Sequence, residues 1–394
     1  MQESITIKNF GPIKDIEIKD IRPFTVFIGE SGSGKSTIMK VLVLFRWIYK
    51  MVNIRSYLKY SNIKESPFKF DFNSYLKNNG FLDYIKPETD IIYQKGSIII
   101  HYKSALRASP IAVPKEELSL EKMCFIADKR NLIPDILAAN RISNKMPYMK
   151  TIDIDDAINF FLRETYNDFL IASDDKYVPE LKFDYLGVKY FSEKTPMGVK
   201  YFIEGISDNK KHKPIKLENS SSGIQTVTPL SVIVEYFSKH YNFKETFNDI
   251  IFRYMSQSDN LKNFRGEQNI GDIQYKNVHF HIEEPELSLY PGSQLSLINF
   301  IVNRCFVEKR DDYNMTVMMA THSPYIINHL NLLIKAFDKD KLIEGKANLN
   351  YDNIAVYQVD EGEIYDLKIK NKKLIYTNPL SDTINTIYDE YEKL

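Results

Sequence analysis

The stretch GESGSGKST, Gly29 to Thr37, constrains this chain more than any other. Three glycines and a Lys-Ser-Thr sit between an apolar run, Phe24 to Ile28, and apolar residues at helical spacing from Lys35 to about Val52. A strand, a glycine loop and a helix in that order let backbone N–H groups turn inward around a phosphate, and the helix N-terminus adds its dipole. The spacing G-x-x-x-x-G-K-[ST] assigns Gly29, Glu30, Ser31, Gly32, Ser33, Gly34, Lys35, Ser36 and Thr37 to a nucleotide cradle. Lys35 is placed to bridge the β and γ phosphates of ATP, and Ser36 to ligate Mg²⁺. A chain built around this turn is expected to be α/β.

The flanking patterns extend that expectation. ESITIKNFGPIKDIEIKDI alternates apolar and polar residues twice around Gly11-Pro12, which reads as two antiparallel strands. KMCFIADKRN, NVHFHIEEPE and MTVMMATHS read as buried strands, Pro291 to Val307 and Pro324 to Leu333 as helices, and NIAVYQVDEGEIYDLKI as a hairpin around Glu361-Gly362. Asp382 to Leu394 reads as a closing helix. Together they predict a mixed central sheet preceded by an N-terminal antiparallel layer.

Asn53 to Thr195 interrupts the alternation: Asn53 to Ser109 is polar and aromatic with one good strand candidate at Ser97 to Tyr102, and Leu132 to about Ser173 is mostly helical. The expected organisation is a first core part over 1–52, a largely helical insertion over 53–195, and a second core part over 196–394. Lys182 to Lys216 reads as strands with a hairpin tip at SDNKKHKP.

Composition narrows the partners. Lysine plus arginine equals aspartate plus glutamate at 52 each, so no overall field draws the chain to nucleic acid or anionic lipid. Cys124 and Cys305 stand far apart with no CxxC, which excludes a disulfide framework and a cysteine zinc site. No signal peptide or membrane span is recognisable, and a cytoplasmic protein is expected.

Three further clusters carry chemistry. VHFHIEEPELSLYP places Glu283 and Glu284 at the end of a buried strand, Glu283 suited to Mg²⁺ and Glu284 to polarising a water in line with the γ phosphate. His279 and His281 on that strand read as packed core. His322 ends the next strand, where an imidazole can report on the γ phosphate. ENSSSGIQTVTPLSVIVEYF opens a second helix with serines and a glycine. Read by itself it is a simple N-cap at Ser222. Read with the other clusters, Ser221, Ser222, Gly223 and the helix dipole cover the γ phosphate of a second copy.

GESGSGKST, SSGIQ, IEEPELSLYP and THSP together resemble the Walker A, signature, Walker B with D-loop, and switch-histidine motifs of ABC-type ATPases. The opening IKNFGPIKDIEI is similar to the SMC, RecF and overcoming-lysogenization-defect branch. The resemblance implies an ABC-type P-loop ATPase head, with ATP and Mg²⁺ as cofactors and a homodimer or higher homo-oligomer formed through composite sites. By position it implies Lys35, Ser36 and Glu283 for nucleotide and metal, and Glu284 and His322 for catalysis. Ser222, Gly223 and Gln225 would act across the dimer, with Ser288 coupling the two sites. The signature reads SSGIQ rather than LSGGQ, Walker B carries Glu283 where aspartate is commoner, and no Q-loop glutamine stands out. Arg130, in ADKRN, is open to a phosphate contact or a surface salt bridge.

Two functions follow from that branch. One is a regulatory ATPase of a bacterial anti-phage system, resembling PARIS-type or Septu-type subunits, that controls a separately encoded nuclease or toxin. The other is a RecF-like repair ATPase that clamps DNA. The neutral charge favours the first, and the basic cluster Lys210, Lys211, His212, Lys213 and Lys216 reads as a solvated turn. DKD at Asp338 to Asp340 is the sole aspartate pair of nuclease form after His322 and does not read as a nuclease centre, so an ATPase with a separate effector is expected.

Overall fold

A computed structural model describes residues 1–61, 76–77, 80–143, 158–174, 176–196, 198–206, 213–255, 273, 275–377 and 382–393. Residues 144–157 of the predicted helical segment, and Lys210, Lys211 and His212 of the basic cluster, lie outside the described residues.

The N-terminal alternation forms β1 (Glu3–Phe10) and β2 (Ile13–Ile18), antiparallel as expected, and the apolar run forms β3 (Phe24–Ile28), buried along its whole length. Helix α1 (Lys35–Tyr60) leaves the glycine loop and continues eight residues beyond the predicted end. β4 (Ile85–Lys95), β5 (Ile98–Lys103) and β6 (Ala105–Ser109) then join the first two strands in an antiparallel sheet ordered β2-β1-β4-β5-β6. The sequence pointed to β5 and not to β4, whose first half carries Pro87 and charges. Its second half alternates, with Thr89, Ile91, Tyr93 and Lys95 facing inward.

The second sheet holds the site. β7 (Ser119–Ile126) is its edge. A short turn after it leads to α2 (Ile133–Ser143) and α3 (Phe160–Ala172). β8 (Glu180–Phe183), β9 (Val188–Thr195), β10 (Gly198–Gly205) and β11 (Ile215–Lys216) make a small antiparallel sheet ahead of α4 (Ser222–Lys239) and α5 (Phe243–Met255). β12 (Tyr275–Glu283), α6 (Pro291–Val302), β13 (Asn314–Thr321), α7 (Pro324–Asp338), β14 (Ile354–Asp360) and β15 (Glu363–Asp366) follow. α8 (Asp382–Lys393) is the last described element.

The central order is β15-β14-β3-β13-β12-β7, parallel throughout except for β15. The molecule is therefore α/β with a mixed central sheet and an antiparallel N-terminal sheet. Segment 53–195 is woven into both sheets, since it supplies β4 to β6 to one and β7 to the other.

Between the sheets runs a buried polar layer. Arg46 of α1 forks onto Glu3 of β1 at 2.7 and 2.8 Å and meets His281 at 2.8 Å, while Tyr93 donates to Glu3 at 2.7 Å. Glu121 of β7 binds Lys95 at 2.8 Å and His279 at 2.7 Å and accepts from Ser119 and Asn277. A buried carboxylate persists only when its lone pairs are satisfied, and both of these are. His279 and His281 are core residues, as their strand pattern implied.

Candidate nucleotide site

The P-loop, the acidic pair and His322 stand at the C-terminal ends of β3, β12 and β13, with β13 hydrogen-bonded to the other two. Parallel strands end on one edge of a sheet, so three sequence-distant clusters arrive at one place.

The loop is shaped by its glycines. A Cβ at Gly29 would stand 2.2 Å from the Val359 carbonyl oxygen of β14, and Gly34, at φ 111°, has Ile13 of the first hairpin 2.7 Å from where its Cβ would be. The turn is gripped on both sides. Lys35 is buried, and its ammonium donates to the carbonyl oxygens of Gly29 at 2.9 Å and Glu30 at 2.7 Å. Burial lowers its pKa, against the opposing pull of Glu284 and Glu286. Ser33 has a buried hydroxyl without a partner in the loop. Glu30, Ser31 and Gly32 are exposed at the tip, and Ser36 and Thr37 open α1.

Glu283 is buried and its carboxylate pairs with Lys40 of α1 at 2.9 Å. Glu284 has a positive φ of 42°, a conformation strained for a side chain. Its N–H donates to Ala320 at 2.8 Å, which fixes the turn, and its carboxylate is 3.5 Å from His322 Nε2. The His322 N–H donates to Glu286 at 2.6 Å. Ser323 caps α7 and donates to Gln294, which in turn donates to the Leu289 carbonyl at 3.0 Å. The histidine turn and the loop after the acidic pair are thereby tied together.

Ser221 takes the N-cap position of α4 but makes no side-chain cap bond, and Ser221 and Ser222 are exposed. The simple N-cap reading of Ser222 is not realised. Gly223 lies so close to the next loop that a Cβ would be 2.8 Å from the Ser288 carbonyl oxygen, and Ser288 itself has φ 60°. Gln225 donates back to Glu218 at 2.9 Å. Among the described residues no hydrogen bond or ion pair joins Ser221, Ser222, Gly223 or Gln225 to Gly29–Thr37.

Arg130 corrects both sequence readings. It is fully buried and reaches four backbone carbonyls: Glu283 at 2.7 Å, Glu284 at 2.7 Å, Ala127 at 3.0 Å and Thr226 of α4 at 3.1 Å. It is a strut between the acidic turn and α4. Lys40, Glu286, Gln294 and Arg130 are the site residues whose parts the sequence did not reveal. Asp338 of the DKD stretch pairs with Lys373 at 3.1 Å, on the far end of α7 from His322.

For a divalent ion the donor set fits. Ser36 and Lys40 are four apart and share a face of α1, which puts the Ser36 hydroxyl on the side of the helix whose Lys40 ammonium meets the Glu283 carboxylate. Both are hard oxygens suited to Mg²⁺, and the carboxylate already holds a cation, the Lys40 ammonium. No cluster of three or more His, Cys, Asp or Glu ligands occurs among the described residues. An ion here would complete its shell with phosphate oxygens and water.

These features define a P-loop α/β protein with a carboxylate pair and a histidine on the edge that carries the loop. Residues 1–48 match the AAA ATPase domain family. Among solved structures, the SMC head domain from Thermotoga maritima is 10% identical, with TM-score 0.35 over 94% of this chain and 100% of that one. An SMC head bound to the C-terminal winged-helix domain of ScpA is 11% identical, with TM-score 0.34 over 94% and 98%. The recombination mediator protein RecF–ATPrS of the RecFOR pathway is 9% identical, with TM-score 0.33 over 93% and 98%. No curated protein matches. Among the described residues no helix is long and apolar enough to cross a membrane.

Proposed function

We propose that this chain is a Mg²⁺-dependent ATPase whose two copies enclose ATP between them, and that closure and hydrolysis regulate a separately encoded effector, a nuclease or toxin of an anti-phage system. The observation that carries the ATPase reading is the convergence of Lys35, Glu284 and His322 on the ends of three neighbouring parallel strands. Lys35 would exchange the Gly29 and Glu30 carbonyls for the β and γ oxygens of ATP. Glu284 would take the proton of the attacking water, with its carboxylate steadied by His322. Ser36 and Glu283 would hold Mg²⁺, which would supply charge neutralisation at the phosphate oxygens.

The exposed, uncapped N-terminus of α4 supports the dimer. Its N–H groups and the Ser221 and Ser222 hydroxyls have an anion-binding arrangement, and nothing in their own subunit's P-loop engages them. The effector role rests on the resemblance of the motifs and on the balanced charge. A RecF-like DNA clamp is the competing reading, and it requires ATP-dependent, steeply salt-sensitive DNA binding by this chain alone.

The test mixes two inactive variants. Lys35→Ala removes nucleotide binding and Ser222→Arg blocks the helix end offered to the partner. Each alone should be inactive, and the mixture should regain up to one working site per heterodimer. Full ATPase activity of Ser222→Arg alone would refute the shared site.

A further inference from the structure

We propose that Lys40 is a built-in counter-cation of the site, competing with the divalent ion for Glu283, so that metal loading exchanges an ammonium for a metal. The inference rests on the nucleotide-site reading above. Glu283 has 3% of its side chain exposed and Lys40 25%, and their 2.9 Å contact is the charge partnership of a carboxylate withdrawn from water. A buried carboxylate without a cation is strongly unfavourable, so a positive charge must stay beside Glu283 at every stage. Lys40 supplies it.

A competitor is useful only if it can step aside. The Lys40 ammonium lies 5.2 Å from the Phe161 ring centroid and 5.9 Å from that of Phe125. The two rings meet at 4.4 Å, one from α3 and one from β7 beside β12. Ring faces within about 6 Å attract an ammonium, so the rings that already flank the ammonium on Glu283 remain to hold it when Glu283 turns to another cation. The long, flexible lysine stem permits that move.

The pairing also gives a reason for glutamate where the motif usually has aspartate. The extra methylene lets one carboxylate serve both Lys40 and a cation beside Ser36, which sits one turn earlier on the same helix face.

The experiment measures Mn²⁺ binding, by the free-ion electron paramagnetic resonance signal, to the full-length protein saturated with a non-hydrolysable ATP analogue. Lys40→Met, which keeps the stem and removes the charge, should bind Mn²⁺ about tenfold more tightly, equivalent to about 1.4 kcal/mol. Its thermal midpoint should fall without metal and recover with metal and nucleotide. Phe161→Leu, which removes one resting face, should bind Mn²⁺ several-fold more weakly. If Lys40→Met does not fold, the Phe161→Leu titration decides the matter. Unchanged or weaker Mn²⁺ binding by Lys40→Met, or unchanged binding by Phe161→Leu, overturns the proposal while wild-type nucleotide binding persists. Failure of the wild-type protein to bind the analogue at all overturns the site reading instead.

Discussion

Arg130 Nη2 donates to the main-chain oxygen of Glu284 at 2.7 Å, so the carboxylate read as the general base stands on a turn held from below by a buried guanidinium. The neighbouring Nη1 holds the Glu283 carbonyl at the same distance, and Nε holds Thr226 of α4. The planar fork thus joins the strained acidic turn to the helix that opens with Ser222. Burial brings its pKa down to about 10, which leaves it charged at neutral pH.

Replacing Arg130 by alanine removes the guanidinium's bonds to four carbonyls in three segments, of which those of Ala127 and Glu284 keep a backbone donor. The loss should be on the order of 3–5 kcal/mol, the range for removing one partner of a buried charged network. Arg130→Lys should recover less than half of it, because an ammonium lacks the fork. Urea unfolding measures both, and a cost below about 1 kcal/mol for the alanine variant would contradict the strut, since that is the range of an ordinary hydrogen bond.

The P-loop glycines should rank by what surrounds them. Gly29→Ala forces a methyl to 2.2 Å from the Val359 carbonyl, which belongs to the sheet and cannot move aside. Gly34→Ala meets only the flexible end of Ile13 at 2.7 Å, and Gly32→Ala, at φ 82°, meets nothing within 4 Å. Gly32→Ala should cost about 1 kcal/mol for its left-handed conformation, with Gly34→Ala and then Gly29→Ala costing more. Denaturation midpoints in that order are expected, and equal midpoints for Gly32→Ala and Gly29→Ala would show that the close approach to β14 is not maintained in solution.

Acid should act through the buried layer between the sheets. Burial, with Arg46 and Lys95 adding to it, lowers His279 from 6.5 to about 4. Burial alone would raise Glu121, but Lys95 and His279 outweigh it and bring it down to about 2. Both groups bind protons more readily when unfolded, so their stabilisation is present above the unfolded values and lost as pH falls. Stability should hold above pH 6.5, decline towards pH 4 as His279 charges in the unfolded chain, and decline again from 4.5 towards 2 through Glu121. The first decline should amount to a few kcal/mol at most. His279→Gln should flatten it in urea titrations between pH 7.5 and 4, and an unaltered slope would remove His279 from the account.

What was legible and what was not divide along sequence distance. The P-loop declares itself because turn, cradle and helix start are consecutive residues, each with a local chemical reason. The first hairpin, the fully apolar β3 and the strand ending in Glu283 follow from period-two or unbroken apolar patterns. β4 was hidden because Pro87 and its charged neighbours mask the alternation, and because Lys95 faces inward, where pattern reading expects an apolar residue. Its burial makes sense only with Glu121 beside it.

The sequence by itself determined the α/β class, the glycine loop between β3 and α1 and the residue types at the ends of β12 and β13, because hydrophobic period, glycine geometry and strand-end chemistry are local. Only the tertiary structure decided that Arg130 is a strut, that Lys40 neutralises Glu283, that Glu286 orients the His322 turn, and that Ser221 and Ser222 are left exposed. A charged side chain's role depends on which carbonyls, carboxylates and rings the fold brings within a few ångströms of it. Those partners lie tens to hundreds of residues away, where no local pattern records them.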